Sequence, residues 1–328
     1  MNIGIIGCGI ITQEAHIPAL LRLQDKIKVR ALCNHSEEKG KIVRNLLNDE
    51  SLPIYSNWKE MIEKEKGLDA VLIALPIKLS YEVSKGCLDA GVAVLCEKPV
   101  GADTTEAHKT RTWASEKYPL YMTGENFHFK RATMKALKII ESGRIGTLHS
   151  IQMNVFKFMF DDNKYNKTLW RSNNRYPGGY LMDGGVHNVH TIQQFAGPVE
   201  SIMAKTLSVN PRLGTHDTGF AILKHTGGIL TSYNMAMQHE APAEGIKLFG
   251  TKGSLIVKDD EIKVISPEGD VEVISVQDEN TFYLEWLEFY NAYTAKTGSP
   301  IPQDMVINDV MIIEKMLESS DEGKEVYL

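Results

Sequence analysis

Up to residue 124 the apolar positions fall in short runs of strand length, rich in β-branched residues: Asn2-Ile3-Gly4-Ile5-Ile6, Lys28 to Cys33, Ala70 to Pro76, Val94 to Val100 and Leu120 to Thr123. Between several of them lie stretches with helical spacing, one running through Leu23, one from about Ser80 to Ala90 and one from about Thr104 to Glu116. Such alternation predicts βαβ units and a parallel sheet. Beyond Gly124 the rhythm changes. An amphipathic stretch, Lys130 to Ser142, is followed by alternating runs at Leu148–Phe158, Val199–Val209, Gly219–Lys224, Ile229–Met237 and Ile246–Val257, punctuated by turns such as Gly250-Thr251-Lys252-Gly253. That pattern predicts a mostly antiparallel sheet. Helical spacing returns at Phe282–Ala295 and Met305–Ser319. The expected fold class is α/β: a doubly wound parallel sheet over residues 1–124, then an α+β domain over 125–328.

At 328 residues the chain exceeds the size at which single cores stop growing, consistent with two domains. The net charge of −6 shows no basic excess, which argues against nucleic acid and points to small-molecule partners. No apolar run approaches the ~20 residues of a membrane span, and the start carries no basic, cleavable leader, so no membrane association and a cytoplasmic location are expected. Cys8, Cys33, Cys87 and Cys96 show no C-x-x-C spacing and read as buried reduced thiols.

Candidate chemistry starts after the first strand. Gly7-Cys8-Gly9-Ile10-Ile11-Thr12 is a near match to the dinucleotide fingerprint of a Rossmann sheet. Gly7 would allow the tight turn, Gly9 the close approach of a pyrophosphate, and the helix opening at Ile10 and Ile11 would offer its N–H groups. Where the fingerprint expects an acid for the ribose, the second strand ends in Asn34, followed by His35. An amide does not repel a 2′-phosphate and Lys39 or Lys41 could add positive charge, so NADP is at least an equal candidate with NAD; alternatively, Asn34 caps the next helix. The run ending Cys96-Glu97-Lys98-Pro99 places an ammonium at a strand's carboxyl end, where open α/β sheets bind ligands. A long loop, Asp161 to Pro177, then leads into Gly178-Gly179-Tyr180-Leu181-Met182-Asp183-Gly184-Gly185-Val186-His187. On a helix Asp183 and His187 share a face, and a histidine accepts protons near neutral pH. A metal reading adds His190, but no clear fourth ligand is visible.

Taken together, the glycine loop, the C-E-K-P strand end and the G-G-x-L-x-D-x-G-x-H element resemble the Gfo/Idh/MocA oxidoreductases, along essentially the whole chain. The resemblance implies that Lys98, Asp183 and His187 are catalytic, that Lys98–Pro99 is a cis peptide bond, that Asn126 lies near the nicotinamide, and that Trp170 and Arg171 lie by cofactor and substrate. Gly7, Gly9, Ile10, Ile11, Asn34, His35, Leu75, Pro76, Glu97, Lys98 and Asn126 are then the expected cofactor contacts. Trp170, Arg171, Tyr176, Asp183 and His187 are the expected substrate contacts, and no metal is expected. The family's T-P-x-x-x-H after the third strand is here Leu75-Pro76-Ile77-Lys78-Leu79-Ser80, without the histidine. The implied activity is hydride transfer between NAD or NADP and a secondary alcohol or carbonyl of a sugar, sugar derivative or cyclitol. The competing readings are a non-catalytic NAD(P)-binding regulator and a relative acting on a non-sugar such as a dihydrodiol. An open-faced second sheet and a homodimer or homotetramer paired through it are also implied.

Overall fold

The computed structural model describes residues 1–115, 119–159, 178–210, 213–237 and 245–328. The chain divides into two compact units, Met1–Asn126 with Asn280–Ile307, and Phe127–Glu279 with Asn308–Leu328. The division lies two residues from the expected boundary at 124. The helix Thr281–Ala295, which sequence order alone had placed with the second domain, belongs to the first unit.

In the first unit six strands, β1 (Asn2–Ile6), β2 (Lys28–Cys33), β3 (Ile54–Tyr55), β4 (Ala70–Ile73), β5 (Ala93–Glu97) and β6 (Tyr121–Gly124), form one sheet in the order β3-β2-β1-β4-β5-β6. All neighbours run parallel. Helices cover both faces of such a sheet, which is why Ile3, Ile5, Val71, Leu72, Val94 and Leu95 are all fully buried and the strands read as unbroken apolar runs. The expected helix over 104–116 is two short ones, Thr104–Lys109 and Arg111–Ser115. They separate at Thr110, whose hydroxyl donates to the Ala107 carbonyl and accepts from Gln303 Nε2. The helix Thr281–Ala295 is held by Trp286 and Phe289, both fully buried, and by a Tyr293 hydroxyl bond to Asp69.

All four cysteines are buried and free. Burial pushes the Cys33 thiol up to about 11 and those of Cys8, Cys87 and Cys96 up to about 12. The folded protein is therefore expected to release no thiolate to Ellman's reagent at pH 8, and all four on denaturation; a fast-reacting thiol in the folded state would contradict it.

The second unit is a nine-stranded sheet: β7 (Leu148–Phe156), β8 (Val199–Leu207), β9 (Thr218–His225), β10 (Leu230–Ala236), β11 (Gly245–Gly250), β12 (Gly253–Val257), β13 (Glu261–Ile265), β14 (Val271–Ser275) and β15 (Val326–Tyr327). The order is β14-β13-β12-β11-β7-β10-β9-β8-β15, antiparallel except for β7 with β10. The long run over 246–257 is a hairpin, because Gly253 takes φ +150° and a Cβ on Gly250 would meet the Ile145 carbonyl oxygen at 2.1 Å. One face is the core, with Tyr233, Leu223, Leu248 and Leu255 fully buried. The alternate positions Met203, Leu207, Phe220, Ile222 and Leu230 are each about half exposed.

Candidate functional site

In the first unit the glycine loop is wedged between the ends of β2 and β4. Gly7 N–H donates to the Cys33 carbonyl, and its φ of +102° with a would-be Cβ 2.2 Å from the Ala74 carbonyl oxygen admits only glycine. Leu75 Cδ2 lies at 3.3 Å from the same point, so Leu75 walls the turn. At Gly9, by contrast, a Cβ would meet no heavy atom within 4 Å. This is open space at the strand-order reversal between β1 and β4, where a dinucleotide's phosphates approach the backbone. Ile10 and Ile11 begin the helix that follows. Thr12, in the place of the third glycine, is fully buried and donates its hydroxyl to the Gly7 carbonyl at 2.6 Å, so the departure is internally satisfied.

Asn34 does not cap a helix; the residue at that N-cap is Ser36. Its Oδ1 accepts the Cys8 N–H at 2.9 Å and its Nδ2 donates to the Ser36 carbonyl at 2.8 Å, tying the glycine loop to the end of β2. Of the two nearby cations, Lys41 pairs with Glu37, whereas the charge of Lys39 is felt at Cys8. His35 and Pro76 are exposed beside these loops.

At the carboxyl end of β5, Glu97 and Lys98 are partly buried and the Lys98–Pro99 bond is cis. Trp286 Nε1–H, a donor only, points to His16 Nδ1 at 3.1 Å, so the His16 proton sits on Nε2 and faces Glu97 Oε1 at 2.8 Å. Glu97 is thus fixed directly beside Lys98. Glu285, one residue before Trp286, is fully buried and neither of its carboxyl oxygens has a hydrogen-bond partner. Burial pushes its carboxyl well above the usual range, and the neighbouring Glu97 and Glu125 push it further. Asn126 is buried, its amide donating to Thr281 Oγ1 at 2.6 Å.

In the second unit the glycine pairs are packing requirements. A Cβ on Gly179 would strike the backbone nitrogens of Thr215 and His216 at 2.7 Å, and one on Gly184 the Tyr180 ring at 2.6 Å. Asp183, largely buried, ends the helix Gly179–Asp183; His187, half-buried, stands in the first turn of the helix Gly185–Ala196. The single helix expected across both is therefore two, meeting at Gly184. His187 stacks on Phe127, with ring centroids 4.4 Å apart and planes inclined by 20°. His190 Nδ1 contacts Asp309 Oδ2 at 2.8 Å and its Nε2 contacts His128 Nδ1 at 2.9 Å, so both ring nitrogens have protein partners. Among the described residues no three metal-binding side chains cluster. Trp170, Arg171 and Tyr176 lie outside the described residues.

The sequence does not mark Phe127, Lys130, His16, Trp286 or Glu285 as site residues; the run Glu125-Asn126-Phe127-His128 after β6 carries a local signal, and it points only to Asn126.

Residues 1–125 match the profile of an oxidoreductase family with an NAD-binding Rossmann fold, GFO/IDH/MocA, and residues 133–256 match the C-terminal domain of that family. An uncharacterised Saccharomyces cerevisiae protein is 28% identical over 316 residues, covering 91% of this chain and 89% of its own. Inositol 2-dehydrogenase 2 of Saccharopolyspora erythraea is 28% identical over 241 residues, 70% of this chain and 65% of its own. The crystal structure of an oxidoreductase from Thermotoga maritima superposes with a TM-score of 0.92 at 27% identity, covering 100% of this chain and 98% of that one.

Proposed function

The chain belongs to the Gfo/Idh/MocA oxidoreductase family, as an NAD(P)-dependent dehydrogenase, and from that premise we propose which of its residues carry the reaction and on what. The substrate class is a sugar, sugar derivative or cyclitol, in keeping with the inositol dehydrogenase among its relatives. When bound, the nicotinamide accepts the hydride from the substrate carbon or returns it. His187 takes the hydroxyl proton as the carbon loses its hydride, and gives it back in the reverse direction. Lys98 donates a hydrogen bond to the same oxygen as alkoxide character develops. Asp183 orients these two. Asn126, its amide held by Thr281, would lie beside the nicotinamide, and Trp170, Arg171 and Tyr176 would supply the stacking and donors that a polyhydroxylated ring needs.

The observation that carries this reading is the glycine turn. Gly7 is locked against Ala74, while Gly9 opens onto empty space at the reversal point of the sheet. Titration with NADH and NADPH by nicotinamide fluorescence, then a sugar and cyclitol panel with the tighter cofactor, tests it. Binding followed by turnover of a polyol is the expected result. Turnover only of flat dihydrodiols would move the substrate class, and failure to bind either nucleotide would sink the reading.

Cofactor choice turns on Asn34. Asp at this position could still accept the Cys8 N–H, yet it would lose the bond to Ser36 and set a carboxylate against a 2′-phosphate. Asn34→Asp is expected to weaken NADPH relative to NADH by at least about tenfold, or ~1.4 kcal/mol. Equal weakening of both would show that Asn34 only braces the loop.

Among the described residues no helix is long and apolar enough to cross a membrane. The half-exposed apolar row of β8, β9 and β10 supports pairing of two copies through this sheet, as a homodimer or homotetramer. Met203→Glu with Phe220→Glu is the variant that would give monomers in light scattering.

A further inference from the structure

We propose that Phe127 is a positioning residue, a flat shelf that sets the plane of the His187 imidazole; the inference rests on the reading of His187 as the proton acceptor. The two rings lie nearly parallel at 4.4 Å. An imidazole exchanges protons only through nitrogens in its own plane, so fixing the plane fixes the direction along which the proton can move. Rotation about the side-chain bonds would otherwise turn the nitrogen away from the substrate oxygen.

The shelf is itself held. Lys130 Nζ stands 3.9 Å from its ring centroid, a cation–π contact, and the same ammonium bonds Asp259 at 2.9 Å. The phenyl ring thus meets both an ammonium and an imidazole. Phe127 belongs to the tight turn Asn126–Phe129, and the next residue, His128, bonds His190 at 2.9 Å while its carbonyl accepts from Gln194. His190 is one turn beyond His187 on the same helix and is tied at its other nitrogen to Asp309, which also accepts from Gln193. Two consecutive turn residues, 127 and 128, thus meet two histidines one helical turn apart. This buried polar chain locks the turn in register against the helix, and the register delivers the Phe127 ring to the His187 face. A ring needed only to fill space would call for neither the parallel stack nor the ammonium over it.

The test compares Phe127→Leu with Phe127→Tyr, using His187→Asn as reference. Leucine keeps the apolarity and much of the volume but has no plane; tyrosine keeps the plane. Phe127→Leu is expected to lower kcat by about 10- to 100-fold, the scale of a misplacement near 1 Å, with KM and the melting temperature near wild type, and Phe127→Tyr is expected to restore most of kcat. The ring-current shift of the His187 ring protons, read by NMR in the free protein, should be present in wild type and Phe127→Tyr and lost in Phe127→Leu. Full activity of Phe127→Leu beside an impaired His187→Asn would overturn the inference and spare the proton-acceptor reading. An active His187→Asn would overturn that reading itself, whatever Phe127 does.

Discussion

Lys98→Met is expected to turn over at about 10⁻² to 10⁻³ of the wild-type rate, with a much smaller loss, of a few-fold, in NADH or NADPH binding. The figure is that for removing one donor aimed at a developing oxyanion in a water-poor site. Methionine keeps most of the stem, so packing at the end of β5 is conserved. Lys98 does not build the glycine turn or the helix behind it, the expected phosphate site, so most of the nucleotide's affinity should survive. Loss should therefore fall on kcat rather than on cofactor affinity. Lys98→Arg discriminates further: it returns the charge on a longer, planar fork in place of a compact donor, and it should recover little of the rate. Single-turnover absorbance of the reduced nicotinamide reads the chemical step directly. Wild-type rates in Lys98→Met would remove this lysine from the reaction.

The parts of this fold that sequence discloses are those whose environment repeats along the strand. β1, β4 and β5 are buried on both faces, so their apolar runs are continuous and their ends are sharp, and the C-E-K-P boundary puts Lys98 at a strand's carboxyl end. β8 to β10 alternate cleanly because one face is core. β14 could not be seen this way: Val271 and Val273 are exposed, so its period carries no burial signal, and β3 is only two residues long. The return of residues 280–307 to the first unit was equally hidden. The helix Thr281–Ala295 is apolar around most of its circumference, which says that it is buried but not in which core.

Site residues divide along the same line. Gly7, Gly9 and Asn34 belong to a local motif in which each spacing has a mechanical reason. Phe127, in a short turn, and Trp286, inside a helix, are aromatics indistinguishable from core filling until their ring partners are known. His190 is ambiguous in the sequence because one-turn spacing on a helix is the same whether a histidine faces an ion or a buried carboxylate. Its contact with Asp309, 119 residues away, cannot be read from that spacing.

Glu285 is the sharpest case, since nothing in Tyr283-Leu284-Glu285-Trp286 separates it from a solvated helix glutamate, yet it is fully buried with no hydrogen-bond partner. A carboxylate there would be unpaired in a low dielectric and set against Glu97 and Glu125, so the folded state holds the neutral acid. The consequence is a pH-dependent cost. Below the ordinary glutamate value of 4.5 the group is protonated folded or unfolded and contributes no pH dependence. Above it the unfolded chain gives up the proton while the folded chain keeps it, so folding must recapture one. Stability then falls by up to about 1.4 kcal/mol per pH unit until the buried acid itself ionises. Glu285→Gln removes the recapture. Its melting temperature relative to wild type is expected to climb steadily from pH 5 to pH 8, with the two proteins closest at the acid end. A difference constant across that range would mean that Glu285 is charged in the fold and paired. The position adds meaning to the cost: Glu285 Oε1 lies 3.5 Å from a would-be Cβ of Gly124, against the ends of β5 and β6 and one residue from the Trp286–His16–Glu97 relay beside Lys98. An unsatisfied buried acid is tolerated where the local structure serves chemistry rather than stability. If that is its place here, Glu285→Gln will be the more stable protein at pH 8 and the slower enzyme.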